Sequence, residues 1–276
     1  MKLQTRNRLF SATVVKMRID SHYSTTKNDK TIKLPKFIII GLLLLTVTVS
    51  QSFAANRYLV GNGNWNSTSV WSTSATGGGG ATVPGPGDVA FIQRGFTVTV
   101  NANATVGSLN FSTQTTGNLG TLTIATGKTL TVNGATTLYN ASATVNASIN
   151  GSGTLTTSQL NIGNNRNPGT NGTYTHTLVI TNTNINVSGD LKIISERGNN
   201  NSRLSNGVLS INSGTVTVNG SVITVNENGV NTATLTLGNS SPTLRLNGAT
   251  PFTISGTGTS NITLNGTGAT VIYGST

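Results

Sequence analysis

The stretch GVLSINSGTVTVNG, residues 207–220, decides the fold of this chain. Apolar and polar residues alternate in LSIN and again in TVTV, and each run is followed by a turn that contains glycine. A period of two is typical of a strand that buries one of its faces. Ser-Gly and Asn-Gly are residue pairs that supply the positive φ angles of sharp turns. The stretch therefore predicts two short strands separated by tight corners.

The same pattern recurs from residue 96 to residue 276, as a motif of the form apolar-x-apolar-x-Gly. The motif ends at Gly134, Gly189, Gly220, Gly248 and Gly266. The last four of these glycines are 31, 28 and 18 residues apart. An irregular period favours a parallel β-helix, whose corners accept insertions, over a β-sandwich, which is usually richer in aromatic residues. We predict an all-β, right-handed parallel β-helix (a β-solenoid) over residues 96–276.

The composition argues against a nucleic-acid-binding protein and excludes a fold stabilised by disulfides. There is no cysteine, only 8% of the residues are charged, and the formal net charge is +11. Nine of the 17 basic residues lie within residues 1–54, and the others are scattered singly. Nucleic-acid binding requires a basic patch or stripe, so no nucleic-acid partner is predicted. Without disulfides, stability has to come from packing and from backbone hydrogen bonds.

Residues 1–54 are typical of an export leader. The apolar run Phe37–Val49 is shorter than the ~20 residues of a membrane-spanning helix and matches the helical core of a signal peptide. The small-x-small sequence Ser52–Ala54 then predicts cleavage before Ala55. We therefore expect a secreted or cell-surface protein. Two alternatives stay open: translation starts at Met17, or the leader stays uncleaved and holds the protein at the membrane.

Residues 55–95 differ in composition from the coils and predict an N-terminal cap together with the entry to the first coil. Both tryptophans of the chain, Trp65 and Trp71, lie here. We expect them to cover the open end of the β-helix; the alternative is that their flat rings stack on sugars as a glycan-binding site. Asp88 follows a run of glycine and proline, and we expect it to be a structural turn residue that binds its own loop backbone.

A longer motif spans the cap and the first coils. A G-x-W…W-S segment precedes P-x-x-x-D-x-V-x-I-x-x-G-x-x-V-T-V. The matching positions are Gly63, Trp65, Trp71, Ser72, Pro84, Asp88, Ile92, Gly95, Val98, Thr99 and Val100, with Ala90 in place of one strand valine. Residues 58–134 thus resemble the N-terminal region of large secreted, adhesin-like β-helix proteins of the Bacteroidetes. The resemblance implies an extracellular or cell-surface location.

Such proteins are often much longer and commonly end in a separate sorting domain. This sequence ends in GATVIYGST, which has the texture of the coils. Two alternatives therefore stay open, the N-terminal part of a longer surface protein and a short relative of such proteins.

Few residues suit catalysis. After the leader there is one histidine, His176, which we expect to face solvent among neighbouring threonines. The four acids, Asp88, Asp190, Glu196 and Glu227, are far apart in sequence and form no acidic cluster. We therefore predict no catalytic residue, no metal site and no cofactor. A polysaccharide-degrading enzyme, the remaining enzymatic alternative, would have to use Asp190 or Glu196.

Polar segments offer two further places for binding. Residues 163–176 and 194–207 are predicted to be loops that leave the coils, with recognition loops as the alternative. Outward Thr-x-Thr pairs recur at Thr97/Thr99, Thr121/Thr123, Thr129/Thr131, Thr215/Thr217 and Thr234/Thr236. We interpret the pairs as β-propensity on a solvated face. The alternative, an array that orders water as in ice-binding solenoids, is disfavoured by the unequal spacing of the coils.

The predicted function is an exported, non-catalytic structural or adhesin-like surface protein. Its predicted partner is an extracellular polysaccharide or a host or matrix surface, met through the broad polar faces of the β-helix. The alternative is a carbohydrate-binding module that uses Trp65 and Trp71.

Overall fold

The computed structural model describes residues 54–112, 117–139, 144–163, 172–195, 203–226, 232–256, 259–264 and 268–274. The predicted signal-peptide helix lies outside the described residues. The described part forms 22 strands and one 3-10 turn, Thr68–Val70. All strand pairs in this part run parallel except that of β1 with β3. The prediction of an all-β parallel β-helix is therefore confirmed.

Three faces of parallel strands wind around one core. The first face contains β1 (Asn56–Leu59), β4 (Val89–Ile92), β7 (Ser108–Phe111), the second halves of β9 (Thr129–Leu138) and β11 (Thr154–Ile162), β14 (Leu191–Ser195), β17 (Val222–Asn226) and β20 (Phe252–Gly256). The short strand β3 (Trp71–Ser72) joins this face through its antiparallel pairing with β1.

The second face is a sheet of eight strands. It contains β2 (Gly63–Asn64), β5 (Thr97–Val100), β8 (Gly117–Ile124), β10 (Val145–Asn150), β12 (Gly172–Thr181), β15 (Arg203–Ile211), β18 (Thr232–Leu237) and β21 (Thr259–Leu264).

The third face closes each coil. It contains β6 (Ala104–Val106), the first halves of β9 and β11, β13 (Thr183–Val187), β16 (Gly214–Val218), β19 (Thr243–Leu246) and β22 (Thr270–Tyr273). Because β9 and β11 run through the corner, the third and first faces form one continuous 14-stranded sheet. Each coil thus passes the first, second and third faces in turn.

Inward side chains stack on their equivalents in the next coil. One row on the second face consists of Val98, Leu122, Ile149, Ile180, Ile211 and Leu237, all of them buried. No coil buries its own apolar row alone, so the core arises only when coils stack. The alternation seen in the sequence thus fixes which side of each strand faces the core.

Coil length varies mainly at the corner between the first and second faces. The connection from β20 to β21 covers residues 257–258, whereas the one from β11 to β12 covers residues 163–171. Both predicted polar loops belong to this corner. Their predicted bounds are wrong, because β12 begins at Gly172 and β15 begins at Arg203. The remaining loop residues, 164–171 and 196–202, lie outside the described residues.

Gly207 explains why the second polar loop is shorter than the sequence predicts. Asn206-Gly207 reads as a turn in the sequence, yet Gly207 lies within β15 and pairs with His176. A Cβ atom on Gly207 would lie 2.8 Å from the carbonyl oxygen of Ile194 and 2.9 Å from that of Ile162. Glycine is required there because neighbouring backbones approach closely, and it does not mark a turn.

The glycines of the repeated motif stack at the corner between the third and first faces. The backbone N–H of Gly220 donates to the carbonyl oxygen of Gly189 over 2.9 Å, and that of Gly189 donates to Ser158 over 2.8 Å. At the same corner Asn247 Nδ2 donates to Asn219 Oδ1 over 2.9 Å, so these two asparagines also stack from coil to coil. The motif glycine Gly266 lies outside the described residues.

Close approach, and not a positive φ angle, explains this glycine ladder. The sequence predicted positive φ angles at the corners; Gly214, in the Ser-Gly pair, has one (φ 89°), whereas Gly220, in the Asn-Gly pair, is not among the described glycines with positive φ. A Cβ atom on Gly220 would lie 2.6 Å from the carbonyl carbon of Gly189. Real Cβ atoms do not approach backbone so closely, so a side chain there would push two coils apart.

We therefore expect Gly220→Ala to lower the free energy of unfolding by roughly 1–3 kcal/mol, the usual cost of overpacking. Gly78→Ala is the matched control, since a Cβ there meets no atom of the described residues within 4 Å and the φ angle is ordinary. The control should change stability by less than about 0.5 kcal/mol. Urea denaturation measures both values, and equal stabilities of the two variants would contradict the stacked corner.

Candidate functional site

The two tryptophans form the centre of the N-terminal cap. Trp65 follows β2, and Trp71 opens β3 opposite Leu59 of β1. The rings meet edge to face, with centroids 4.9 Å apart and planes at 70°. Trp71 Nε1 donates to the backbone oxygen of Trp65 over 2.7 Å. The pair thus ties the β2 turn to the short antiparallel strand that closes this end.

Burial bears on the two roles predicted for these rings. Trp65 is 2% exposed and Trp71 is 0% exposed. Stacking on a sugar requires an open ring face, and neither ring has one, so the geometry gives both residues the covering role. Trp65 Nε1 is buried without a hydrogen-bond partner among the described residues.

A cleft of about 280 Å³ lies beside Trp65. It is lined by Trp65 and Asn66 and by the segments Val83–Pro86 and Asn101–Thr105. Asn66 and Asn101 are exposed, so their amides can reach a bound molecule. The sequence did not single out this cleft, because it forms where the cap meets a corner of the second face, and these segments are distant along the chain.

Asp88 directly precedes β4, and both of its carboxylate oxygens accept hydrogen bonds. Oδ2 accepts from the backbone N–H of Gly85 over 2.9 Å, and Oδ1 accepts from that of Ala55 over 3.0 Å. The guanidinium of Arg57 lies 4.0 Å from Oδ2. The bond to Gly85 is the loop contact expected of a turn residue, whereas no sequence pattern predicts the contact with Ala55.

Asp190 occupies the equivalent corner before β14. Its Oδ1 accepts from the backbone N–H of Ser221 in the next coil over 3.0 Å. The other carboxylate proposed for an enzymatic role, Glu196, lies outside the described residues. No group of three or more His, Cys, Asp or Glu side chains that could hold a metal occurs in the described part of the chain.

The prediction that His176 faces solvent is wrong. His176 is 0% exposed, and its Nδ1 lies 3.1 Å from the hydroxyl of Ser205, which is also buried. The Ser205 hydroxyl also donates to the carbonyl oxygen of Gly163 over 3.3 Å. In TYTHTLVI the threonines occupy odd positions, while His176 shares even parity with Leu178 and Ile180 and therefore points inward. The alternation in the sequence therefore predicts an inward His176.

The third face presents two straight outward rows of polar side chains. One row contains Thr129, Thr154, Asn184, Thr215, Thr243 and Thr270. The other contains Thr105, Thr131, Thr156, Asn186, Thr217 and Arg245, and then ends at Ile272. These side chains are half-buried or exposed. The unequal coil lengths do not disturb the rows, because strand pairing keeps its register on this face.

The second face is less uniform. Its outward rows include Val179 and Val208 among threonines, serines and asparagines. The third face is therefore more uniformly polar than the second face in the described part of the chain. A sequence pattern alone did not find it, because the pairing register is needed to tell which threonines share a face.

Comparison with known proteins gives no relative: no family, no curated protein and no solved structure matches the chain. Among the described residues, no helix has the length and apolar character needed to cross a membrane.

The cap contacts predict different costs for two similar substitutions. We expect Trp71→Phe to lower the free energy of unfolding by about 1–3 kcal/mol more than Trp65→Phe. Trp71→Phe leaves the buried oxygen of Trp65 without its donor, whereas Trp65→Phe removes an N–H group for which the described residues provide no partner. Both variants lose similar ring volume, so each is the control of the other. Chemical denaturation measures the difference, and the reverse order would contradict the cap geometry.

Proposed function

We propose that this protein is an exported, non-catalytic, adhesin-like scaffold whose third face contacts an extracellular polysaccharide. The observation that carries the proposal is the pair of unbroken polar rows on that face. From β6 to β19 the side chains of both rows carry only hydroxyl and amide groups, apart from Arg245. Such groups match the hydroxyls of an uncharged sugar polymer, both as donors and as acceptors.

The geometry of a β-sheet supports this partner. Neighbouring strands lie about 4.7–4.9 Å apart, and alternate residues along a strand are roughly 6.6–6.8 Å apart. The two rows therefore form a regular grid of weak hydrogen-bonding groups. A polymer that touches many grid points binds by multivalency, even though each contact is weak. Single contacts would not retain a short sugar.

Export is the second part of the proposal. The signal-peptide pattern of residues 1–54 supports it, as does the resemblance of residues 58–134 to secreted surface proteins. A chain without cysteine, stabilised by backbone ladders and apolar rows, does not depend on the redox state of its surroundings.

A carbohydrate-binding module is the second candidate function. The cleft beside Trp65 favours it, since Asn66 and Asn101 place exposed amides at an apolar hollow. This candidate predicts binding of a short oligosaccharide, and the variant Asn66→Ala/Asn101→Ala should abolish that binding.

Retention on insoluble polysaccharides tests the third face. We expect Thr215→Val/Thr217→Val to weaken binding roughly tenfold, because two hydroxyl contacts of about 0.5–1.5 kcal/mol each are lost. Thr234→Val/Thr236→Val is the matched control, since the same change then falls on the second face. Valine keeps the β-propensity, so both variants should fold. Equal retention of the two variants, or loss through Asn66→Ala/Asn101→Ala instead, would contradict the proposed surface.

Export is tested separately by expressing the full chain in a Gram-negative host. We expect the protein outside the cytoplasm, with Ala55 as its first residue, because Ser52–Ala54 is a small-x-small cleavage sequence. Cell fractionation and N-terminal sequencing give the result. A full-length chain that stays in the cytoplasm would contradict export.

A further inference from the structure

Ala55, the residue that follows the predicted cleavage point, is held by two hydrogen bonds. Its backbone N–H donates to Asp88 Oδ1 over 3.0 Å, and its carbonyl oxygen accepts from the N–H of Val89 over 2.9 Å. Its partner Asp88 is only 8% exposed, while the preceding residue, Ala54, is exposed. The nitrogen at the predicted cleavage point therefore already lies against a buried carboxylate.

We propose that removal of the leader turns this nitrogen into an ammonium group that forms an ion pair with Asp88 and stabilises the N-terminal cap. The inference rests on the proposed export of the chain and adds a structural consequence to it. Asp88 is then the receptor for the mature N-terminus, a role beyond that of a turn residue.

The covalent step is the hydrolysis of one peptide bond by a signal-peptidase-type endopeptidase. Water adds to the carbonyl carbon of Ala54, and the bond to the nitrogen of Ala55 breaks. Ala54 leaves with a carboxylate, and the Ala55 nitrogen takes a proton and becomes an ammonium group. No oxidant or reductant is needed. The exposure of Ala54 leaves this side of the bond open to a protease.

The charge balance around Asp88 favours the new contact. Before cleavage its two oxygens accept from two neutral backbone N–H groups, those of Ala55 and Gly85. Arg57 is the one charged side chain of the described residues within ion-pair distance, and its Nε is 4.0 Å from Oδ2. Oδ1 therefore has no cationic neighbour of its own there. The acceptor at Oδ1 is already a carboxylate, and cleavage turns its neutral donor into a cation, so the contact becomes an ion pair.

The position of Asp88 connects this contact to the rest of the cap. Asp88 directly precedes β4, which pairs with β1, and β1 pairs in turn with β3, the strand that Trp71 opens. Holding Ala55 against Asp88 therefore fixes the start of β1 against the first full coil. We expect the cap to resist unfolding better in the processed chain than in the unprocessed chain.

The test measures the effect of Asp88→Asn in two forms of the full protein. One form is processed to begin at Ala55, and the other keeps its leader through a blocked cleavage sequence, Ala54→Gln. The variant should lower the melting temperature of the processed form by about 2–4 °C more than that of the unprocessed form, which corresponds to roughly 1 kcal/mol at this chain length. Comparing the two differences cancels the effect of the leader itself. Equal losses in both forms would overturn the proposal.

A pH series keeps the test decisive even if Asp88→Asn does not fold. An α-amino group has an ordinary pKa of about 7.7–8.0, and a carboxylate partner raises the pKa of the folded state. The added stability is therefore fully present below pH 7.7 and is lost as the pH rises through that higher pKa. The processed form should lose its advantage over the unprocessed form between about pH 8 and 10. A constant difference across this range would overturn the ion pair.

Failure of export is distinguishable from failure of this inference. If the host leaves the leader in place, a specific protease site inserted before Ala55 releases the same N-terminus in vitro. The stability comparison then tests the ion pair without reference to export.

Discussion

The rest of this structure depends on the parallel hydrogen bonding of each coil to the coil before it. That pairing sets the register in which inward rows such as Leu122, Ile149 and Ile180 stack into one core. It also brings corner backbones so close together that Gly220 has no room for a side chain. The outward rows of the third face follow from the same register. Core, corners and surface are thus three consequences of one repeated contact.

Much of this was readable in the sequence, because the determining interactions repeat. Period-two alternation predicted the strands, and the motif glycines predicted a corner. At Gly220 the reason for glycine is the close approach of the neighbouring backbone. The errors have physical reasons. His176 stands among outward threonines but shares the parity of the inward Leu178 and Ile180, and Asn206-Gly207 resembles a turn although Gly207 lies within a strand. The Ala55–Asp88 contact spans 33 residues and has no local signal.

The coil architecture separates variable from constant parts of the surface. Differences in coil length gather at the corner between the first and second faces, where the polar loops lie. The third face keeps its register over the same coils, so its polar grid survives irregular spacing along the chain. A protein built in this way can vary its loops without losing an extended contact surface. The cap closes the N-terminal end. The proposed ion pair of Ala55 would make the stability of this cap depend on removal of the leader during export.

The most direct test of the coil register uses the absence of cysteine in the natural chain. Thr215 and Thr243 pair on neighbouring strands of the third face, whereas Arg245 lies two residues further along. Paired strands are about 4.8 Å apart, within the Cα separation that a disulfide bridges, and the diagonal is beyond about 7 Å. We predict that Thr215→Cys/Thr243→Cys forms an intramolecular disulfide under mild oxidation, measured by mass spectrometry, and that Thr215→Cys/Arg245→Cys does not. Bridging of the second pair in preference to the first would contradict the register, and with it the account of core, corners and surface.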